Sequence, residues 1–400
     1  MPMISQALQR VRPSATMTIT QLAREKQALG DDVIQLSAGE PDFDTPEHIK
    51  QAAIRALAAG KTKYTAVDGI PELKQAVAAK FRRDNGLTVP VSQVSVGVGG
   101  KQIIFNALVA TLDPGDEVII PAPYWVSYPE IVRLAGATPV TVEAGAHQGF
   151  RISPQQLRAA ITERTKWLIL NSPGNPSGTA YTYAQLKGLA DVLVGHPQVH
   201  ILTDDIYEHL IYGESEFATI AQVEPKLMGR TVTVNGVSKA YSMTGWRIGY
   251  AAAPEWLVGA MRKLMGQSTS NPCSIAQWAA VEALNGPQEF LDDWRATFKK
   301  RRDYMVERLN AISGLTCRTP DGAFYVFPSC EGVMGSRTPG GKRIETDEDF
   351  VLALLEEANV AAVHGAAFGL SPHLRISYAT SMEALEKACD RIDSFCASLD

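Results

Sequence analysis

Between about residues 90 and 255 the chain repeats one pattern: a short apolar, β-branched run, then a turn, then a stretch with helical periodicity. The apolar runs include QVSVGVGG, DEVIIPAP, ATPVTVEA, KWLILNSP, VHILTDD, TVTVNG and WRIGYAAA. Parallel strands need a crossover connection, which a helix usually supplies, so this alternation indicates α/β units around one sheet. We predict a large α/β domain over residues 46–290, with a mostly parallel sheet flanked by helices.

The C-terminal part has a different pattern and predicts a second, smaller α+β domain over residues 291–400. A long charged helical segment, FLDDWRATFKKRRDYMVERLNAI, precedes the isolated strand-like runs GAFYVFP, NVAAVHG and HLRISYA. Residues 1–45 hold too few apolar residues for their own core, so we expect an N-terminal arm that completes the small domain. Two domains agree with the length of 400 residues, since single cores stop growing below that size.

Charge and cysteine usage exclude several classes of protein. The net charge is −5, with basic and acidic residues interspersed, so no basic stripe is available for nucleic acid. The five cysteines contain no C-x-x-C pair, which predicts neither a disulfide framework nor a metal site. No apolar run is long enough to span a bilayer, and the N-terminus lacks a signal-peptide core. We expect a cytoplasmic protein without a membrane partner.

Glycines follow one of the predicted strands, in the stretch VGVGGKQ. Ligands bind outside the carboxyl ends of strands in open α/β sheets, and the bare amides of Gly97, Gly99 and Gly100 before a helix suit a phosphate. The alternative is a tight turn that only needs glycine. Gln102 stands where a nicotinamide-binding fingerprint needs its third glycine and where a P-loop needs Ser or Thr, which weakens a dehydrogenase interpretation.

Three further strands end in polar residues. Asn175, in NSPGNPSG, presents an amide at the sheet edge or simply forms a turn. Asp204 and Tyr207, in TDDIYEHL, follow a buried strand, where a carboxylate needs a cationic partner unless it caps a helix. Lys239, in NGVSKAYSMTGWRIGY, follows an apolar strand among small residues, with Arg247 eight positions later.

Lys239 in such surroundings loses part of its solvation, and its pKa falls toward the range where an amine is nucleophilic. A solvated surface lysine is the alternative for this residue alone. The combination of a phosphate turn, a buried acid, a phenol, an amide, an amine and an arginine predicts a site for an aldehyde cofactor. That cofactor would carry a phosphate and a basic ring nitrogen.

The motifs resemble those of fold-type I enzymes that depend on pyridoxal 5′-phosphate (PLP). The strings GEPDFDTP, KYTAVDGIPELK, VGGKQ, PAPYWVSYPE, NSPGNPSGT, TDDIYEHL, SKAYSMTGWRIGY and LRISYA follow the order of class I aminotransferases over nearly the whole chain. They are most similar to the bacterial group of aspartate and aspartate/prephenate aminotransferases. The resemblance implies transfer of the amino group of L-aspartate to 2-oxoglutarate by ping-pong exchange. It also implies a second activity, from prephenate to L-arogenate.

The resemblance implies roles for the residues around the cofactor ring. Lys239 would bond covalently to the cofactor and later move the proton at the substrate carbon. Asp204 would keep the pyridine nitrogen protonated. Tyr207 and Asn175 would hydrogen-bond the phenolic oxygen, and Trp125 would stack on the ring. Asn175 and Trp125 would also contact the substrate.

The phosphate site departs from the family pattern in one place. By resemblance, Arg247 and the amides around Gly99, Gly100 and Lys101 would hold the phosphate. Many relatives place a serine three residues before the lysine, but this chain has Gly236 there. We therefore expect Ser238 or backbone amides to compensate.

Substrate contacts and the partner subunit also follow from the resemblance. Arg375 would bind the substrate α-carboxylate in bidentate geometry, and the backbone of Gly39 would approach the substrate. STSNPCS offers no counterpart of the arginine that binds the distal carboxylate in some relatives, so Lys101, next to the phosphate turn, would bind it. Tyr64 would reach the cofactor phosphate of the neighbouring subunit in a homodimer with shared active sites. Arg12 would contact prephenate, or would instead tie the arm to the partner subunit.

Two alternatives to an aspartate aminotransferase remain at this point. One is a related aminotransferase with another amino-acid preference. The other is a non-catalytic PLP-binding regulator, but such regulators add a DNA-binding domain, and no basic helix-turn-helix pattern precedes residue 40.

Overall fold

A computed structural model describes residues 3–213 and 216–400. The strands are β1 (Ile34–Gln35), β2 (Val94–Gly97), β3 (Glu117–Ala122), β4 (Thr138–Glu143), β5 (Thr165–Asn171), β6 (His200–Asp204), β7 (Thr231–Gly236), β8 (Gly249–Ala252), β9 (Tyr325–Val326), β10 (Val360–Ala361), β11 (Val363–His364) and β12 (Leu374–Ser377).

The helices alternate with the strands through the middle of the chain. They are α1 (Gln6–Gln9), α2 (Ala15–Ala28), α3 (Glu47–Ala58), α4 (Pro71–Asn85), α5 (Gly100–Val109), α6 (Ser127–Leu134), α7 (Pro154–Ala160), α8 (Tyr183–Val194), α9 (Ile220–Val223), α10 (Glu255–Ser268), α11 (Ser274–Asn285), α12 (Phe290–Ala311), α13 (Asp347–Glu357) and α14 (Met382–Ala397).

The central sheet has seven strands in the order β2-β8-β7-β6-β5-β3-β4. All neighbouring pairs from β7 to β4 are parallel, whereas β8 is antiparallel to both β7 and β2. The predicted α/β fold with a mostly parallel sheet is therefore confirmed. The strand in WRIGYAAA, β8, is the exception. Only a short loop and one turn of 3-10 helix connect it to β7, and a parallel strand would need a crossover helix in this connection.

Apolar clusters cover both faces of this sheet. One packs α5, α6 and α10 on the sheet, with residues such as Ile104, Val132 and Met261. Another packs α8 on the opposite face, with Leu189 and Leu193. Burial on both faces explains why the strands are almost continuously apolar in sequence.

Two small sheets lie outside the central one. Strands β11, β12 and β9 form an antiparallel sheet, and β1 pairs in parallel with β10, so the N-terminal segment is joined to the C-terminal part. Helix α12 begins at Phe290, next to the expected boundary. The division into 1–45, 46–290 and 291–400 stays a prediction, and the first two residues lie outside the described part.

The register of the parallel strands determines which residues meet at the carboxyl edge. Asn171, the last residue of β5, is paired with Asp204, the last residue of β6, and Asp204 is paired with Val234 of β7. The loops that follow these strands therefore start side by side. None of the helices in the described part of the chain combines the length and apolar character needed to cross a membrane.

Candidate active site

A cavity of about 370 Å³ opens at the carboxyl edge of the central sheet, between the sheet and strand β12. It gathers most of the residues that the sequence singled out. These are Gly39, Gly100, Lys101, Trp125, Asn175, Asp204, Tyr207, Ser238, Lys239, Arg247 and Arg375. Their assigned roles stay predictions, but their convergence is a property of the fold.

Lys239 lies on the floor of the cavity, three residues after β7 ends. Its Nζ donates a hydrogen bond to the carbonyl of Gly39 and lies 6.0 Å from the ring centroids of Tyr207 and Phe324. Burial lowers the pKa of Lys239 from its ordinary value near 10.5 to about 8. A large share of neutral amine is therefore present in mildly alkaline solution, as a nucleophilic lysine requires.

Asp204 ends β6 and is only 6% exposed. The hydroxyl of Tyr128 donates to its Oδ2 at 2.7 Å, whereas Oδ1 has no hydrogen-bond partner among the described residues. Burial raises the pKa of Asp204 to about 6. A buried carboxylate oxygen without a donor matches a protonated ring nitrogen, so the site fits PLP at this point.

Tyr128 is a site residue that the sequence interpretation missed. It lies in α6, three residues after Trp125, and their ring centroids are 5.2 Å apart with the rings at 82°. Full burial raises the pKa of Tyr128, so its hydroxyl stays protonated and keeps donating to Asp204. The string PYWVSYPE contained the residue, but no local signal linked it to Asp204.

The glycine turn and Arg247 form a cradle at the other end of the cavity. Gly99 has φ +77°, and a Cβ there would lie 2.3 Å from Nη2 of Arg247, so glycine is what allows the guanidinium to approach. Arg247 also donates to the carbonyl of Thr244 at 2.9 Å. Helix α5 begins at Gly100, and its free amides add to the positive end of the helix. These groups suit a phosphate.

Gly236 lies where β7 and β8 pair closely, at the position of the serine that many relatives carry. A Cβ on Gly236 would lie 3.1 Å from the carbonyl oxygen of Ile248 and 3.2 Å from Cα of Gly249. The close pairing of β7 with β8 therefore leaves little room for a side chain. Ser238 is buried and lines the cavity two residues later, and its contact with a phosphate stays a prediction.

Arg375 is a buried cation on β12 and is 2% exposed. Its Nη1 donates to Oδ1 of Asn175 at 3.0 Å, and its Nη2 donates to the carbonyl of Ser37. No ion pair within the described residues includes it, and Nε has no hydrogen-bond partner there. Burial lowers its pKa. A buried guanidinium without an ion pair favours the binding of an anion in the cavity.

A second tyrosine, Tyr325, was also missed. It lines the cavity, and its hydroxyl lies 2.9 Å from the hydroxyl of Tyr207. In sequence it lies in GAFYVFP, which we interpreted only as a strand. The N-terminal arm contributes Ser14, Thr16 and Met17 to the same cavity, and none of them was predicted.

Lys101, Arg12 and Tyr64 differ in their relation to the cavity. Nζ of Lys101 lies 4.8 Å from the ring centroid of Trp125, at the boundary with a second cavity. Arg12 lines that second cavity, and its backbone N–H donates to Glu130 at 2.8 Å. Tyr64 is 91% exposed and contributes to neither cavity of its own chain.

The family profile described as "Aminotransferase class I and II" matches residues 31–392. The chain belongs to this family. The aspartate/prephenate aminotransferase of Cereibacter sphaeroides is 62% identical over 399 residues, covering 100% of both chains. The aspartate aminotransferase of Rhizobium meliloti has a solved structure with 54% identity, 99% of each chain covered and a TM-score of 0.97.

A second solved aminotransferase extends the comparison. The aspartate aminotransferase of Thermus thermophilus, solved with maleate, is 46% identical over 99% of this chain and 100% of that one, with a TM-score of 0.92. The predicted fold-type I architecture and the predicted aminotransferase family are therefore confirmed. Class I and II aminotransferases depend on PLP.

Proposed function

We propose that this aminotransferase transfers the amino group of L-aspartate to 2-oxoglutarate, giving oxaloacetate and L-glutamate, with PLP bound in the cavity at the carboxyl edge. The observation that carries the proposal is the buried guanidinium of Arg375 in one cavity with Lys239 and Asp204, where no described residue provides it with an ion pair. Support for aspartate comes from relatives at 62% and 57% identity that are named for this substrate.

The residues present fit the cofactor. Arg247, Ser238 and the start of α5 would hold its phosphate, and Asp204 would pair with its ring nitrogen. When bound, PLP supplies an aldehyde carbon and a ring that accepts electrons from the substrate's α-carbon. Lys239 would remove and return the proton at that carbon, because its lowered pKa suits both steps near neutral pH.

The substrate would be oriented from its two ends. Arg375 would bind the α-carboxylate with two parallel N–H···O bonds, while Asn175 keeps the guanidinium fixed. Lys101, which lies over Trp125 beside the phosphate cradle, would bind the distal carboxylate. Only dicarboxylic substrates reach both cations, and this would give the enzyme its preference for acidic substrates.

Lys101→Ala should reduce kcat/KM for aspartate and glutamate by about 10- to 100-fold, the loss expected for a hydrogen bond to a charged group. Neutral amino acids such as alanine should change less than about threefold, because they present no distal carboxylate. Initial rates with a panel of amino donors and 2-oxoglutarate measure this difference.

The matched control is Lys300→Ala, which removes an exposed lysine from α12 and should leave the panel unchanged. Equal losses for acidic and neutral donors would assign the specificity role to another residue. A wild-type protein that failed to use aspartate would contradict the proposed function itself.

We further propose prephenate as a second amino acceptor, with Arg12 binding the carboxylate that oxaloacetate lacks. Arg12 lines the cavity adjoining Lys101, so an acceptor longer than oxaloacetate would extend toward it. Relatives named aspartate/prephenate or probable aspartate/prephenate aminotransferase are 49% to 62% identical over 98% to 100% of their length. The alternative is that Arg12 ties the arm to the partner subunit.

Arg12→Ala should lower the rate with prephenate by about tenfold relative to oxaloacetate, because one charged contact is lost. Both rates are measured with the same amino donor, and Arg24→Ala in α2 serves as the control for removal of an arm-region arginine. An unchanged ratio of the two rates would favour the structural role.

We also propose a homodimer in which Tyr64 reaches the phosphate of the neighbouring subunit. Its side chain is exposed in its own chain and carries a hydroxyl suited to a phosphate oxygen. Mixing Lys239→Ala and Tyr64→Ala chains should then raise activity above the average of the separate proteins. In the mixed dimer the site of the Lys239→Ala chain receives the altered residue 64 from its partner, so both substitutions fall in that site. The other site has its own Lys239 and an intact Tyr64 from the partner chain.

The measurement is the specific activity after subunit exchange, with mixed dimers verified by mass-tagged chains. A mixture of Lys239→Ala with Lys300→Ala is the control, since neither chain then alters residue 64. Strictly additive activity in the Tyr64 mixture would mean that Tyr64 acts within its own chain or away from the phosphate.

A further inference from the structure

Tyr325 contacts three parts of the candidate active site at once. It begins β9 and is paired with Ser377 of β12, and its side chain is completely buried. Its hydroxyl lies 2.9 Å from that of Tyr207. Its ring centroid lies 4.7 Å from Cζ of Arg375, which also lies 5.1 Å from the centroid of Phe368. The guanidinium is therefore held against two aromatic rings.

The backbone of the N-terminal segment also lies against Tyr325. A Cβ on Gly39 would lie 2.8 Å from the Tyr325 hydroxyl oxygen, so this segment approaches the phenol closely. The carbonyl of Gly39 in turn accepts the hydrogen bond of Lys239. The backbone of Gly39 therefore lies close to both the phenol of Tyr325 and the amine of Lys239.

The donor in the hydrogen bond between the two phenols is determined if Tyr207 also hydrogen-bonds the cofactor. A phenol has one O–H to donate, so a Tyr207 that donates to the cofactor's phenolic oxygen can only accept from Tyr325. Burial raises the pKa of both phenols, so each keeps its proton. Hydrogen bonds in series polarise one another, and the outer donor strengthens the inner one.

We propose that Tyr325 is a positioning residue whose hydroxyl orients and strengthens the donation from Tyr207 while its ring fixes Arg375. This inference rests on the proposed function, because it needs PLP beside Tyr207. The side chain of Tyr325 would thus contact both Arg375, which binds the substrate carboxylate, and Tyr207, which binds the cofactor oxygen. The hydroxyl and the ring therefore have separable effects.

Tyr325→Phe tests the hydroxyl, because it keeps the ring against Arg375. Without the outer donor, Tyr207 donates more weakly and the cofactor oxygen becomes more basic. The pH-dependent transition of the near-visible absorbance band of the holoenzyme should move upward by about 0.5 to 1 pH unit. We expect kcat to fall about 3- to 10-fold and KM for aspartate to change less than twofold.

Tyr325→Leu tests the ring, because it also removes the surface that packs against Arg375. The dissociation constant of maleate, followed through the same band, should rise about tenfold, whereas Tyr325→Phe should leave it near the wild-type value. Tyr378→Phe is the matched control: that tyrosine is also fully buried in the same region, but its hydroxyl donates to the carbonyl of Ala323.

A Tyr325→Phe holoenzyme with the wild-type absorbance transition would overturn the proposal for the hydroxyl. Wild-type maleate affinity in Tyr325→Leu would overturn it for the ring. A shift of equal size in Tyr378→Phe would overturn it as well, because the effect would then reflect any lost buried hydroxyl. If wild-type protein with PLP showed no near-visible band, the proposed function would fail first.

Discussion

Lys239→Ala is expected to remain folded and to keep binding PLP through the phosphate cradle, while its transamination rate falls by about 10⁴-fold. The methyl side chain of alanine cannot take the proton from the substrate's α-carbon, which is the role proposed for the amine of Lys239. Arg247 and the start of α5 are untouched, so the phosphate contacts persist. Steady-state rates and the absorbance of the bound cofactor measure the two properties separately.

The control for Lys239→Ala is again Lys300→Ala, and the thermal unfolding temperature of both variants verifies the fold. A Lys239→Ala enzyme that turned over within about tenfold of the wild-type rate would show that another base moves the proton. Loss of PLP binding together with activity would mean that the lysine, and not the cradle, dominates cofactor affinity.

Asp204→Asn is expected to lower kcat by about 10²- to 10³-fold, because breaking a buried charge pair costs about 3–5 kcal/mol. Asparagine has nearly the same shape as aspartate, so packing is preserved and Tyr128 still has an oxygen to donate to. What changes is the charge opposite the ring nitrogen. Single-turnover rates with aspartate measure the effect on chemistry.

The same residue gives a pH dependence with a defined sign. Burial raises the pKa of Asp204 to about 6 in the protein without cofactor, so below that pH the group is a neutral acid. PLP affinity of the wild-type apoprotein should therefore weaken as the pH falls through about 6, and Asp204→Asn should lack this dependence. Tyr128→Phe should move the dependence to higher pH, because the hydroxyl lowers the pKa of the carboxyl. An identical pH profile in all three proteins would contradict the assignment.

The fold was largely predictable because the parallel strands β3, β4 and β5 are each followed by a turn and a helix that can be recognised in the sequence. The direction of β8 was not predicted, since the run WRIGYAAA is equally apolar in either orientation. Its direction depends on the short connection after β7, which is too short to contain a crossover helix. The sequence did contain that signal, as the segment from 237 to 248 lacks helical periodicity.

The candidate site was predictable where a residue follows its own strand and not where two distant segments meet. Asp204 ends β6 and Lys239 lies three residues after β7, so their strands place both residues at one edge of the sheet. Tyr325 is 118 residues from Tyr207 in sequence, and Tyr128 is 76 residues from Asp204. The first contact depends on how the C-terminal part packs on the sheet and the second on how α6 packs against β6, and a single sequence contains no pattern that specifies either.

The buried charge of Arg375 also affects the conformational stability of the protein. A guanidinium withdrawn from water, whose acceptors among the described residues are the Asn175 amide and the Ser37 carbonyl, lowers the free energy of unfolding. A carboxylic acid that binds only the folded chain adds about 2.7 kcal/mol to that free energy at roughly 100 times its Kd. Resistance to heat and proteolysis is thereby coupled to the supply of amino and oxo acids. The enzyme without a bound carboxylic acid would therefore be the form that unfolds and is cleaved most readily.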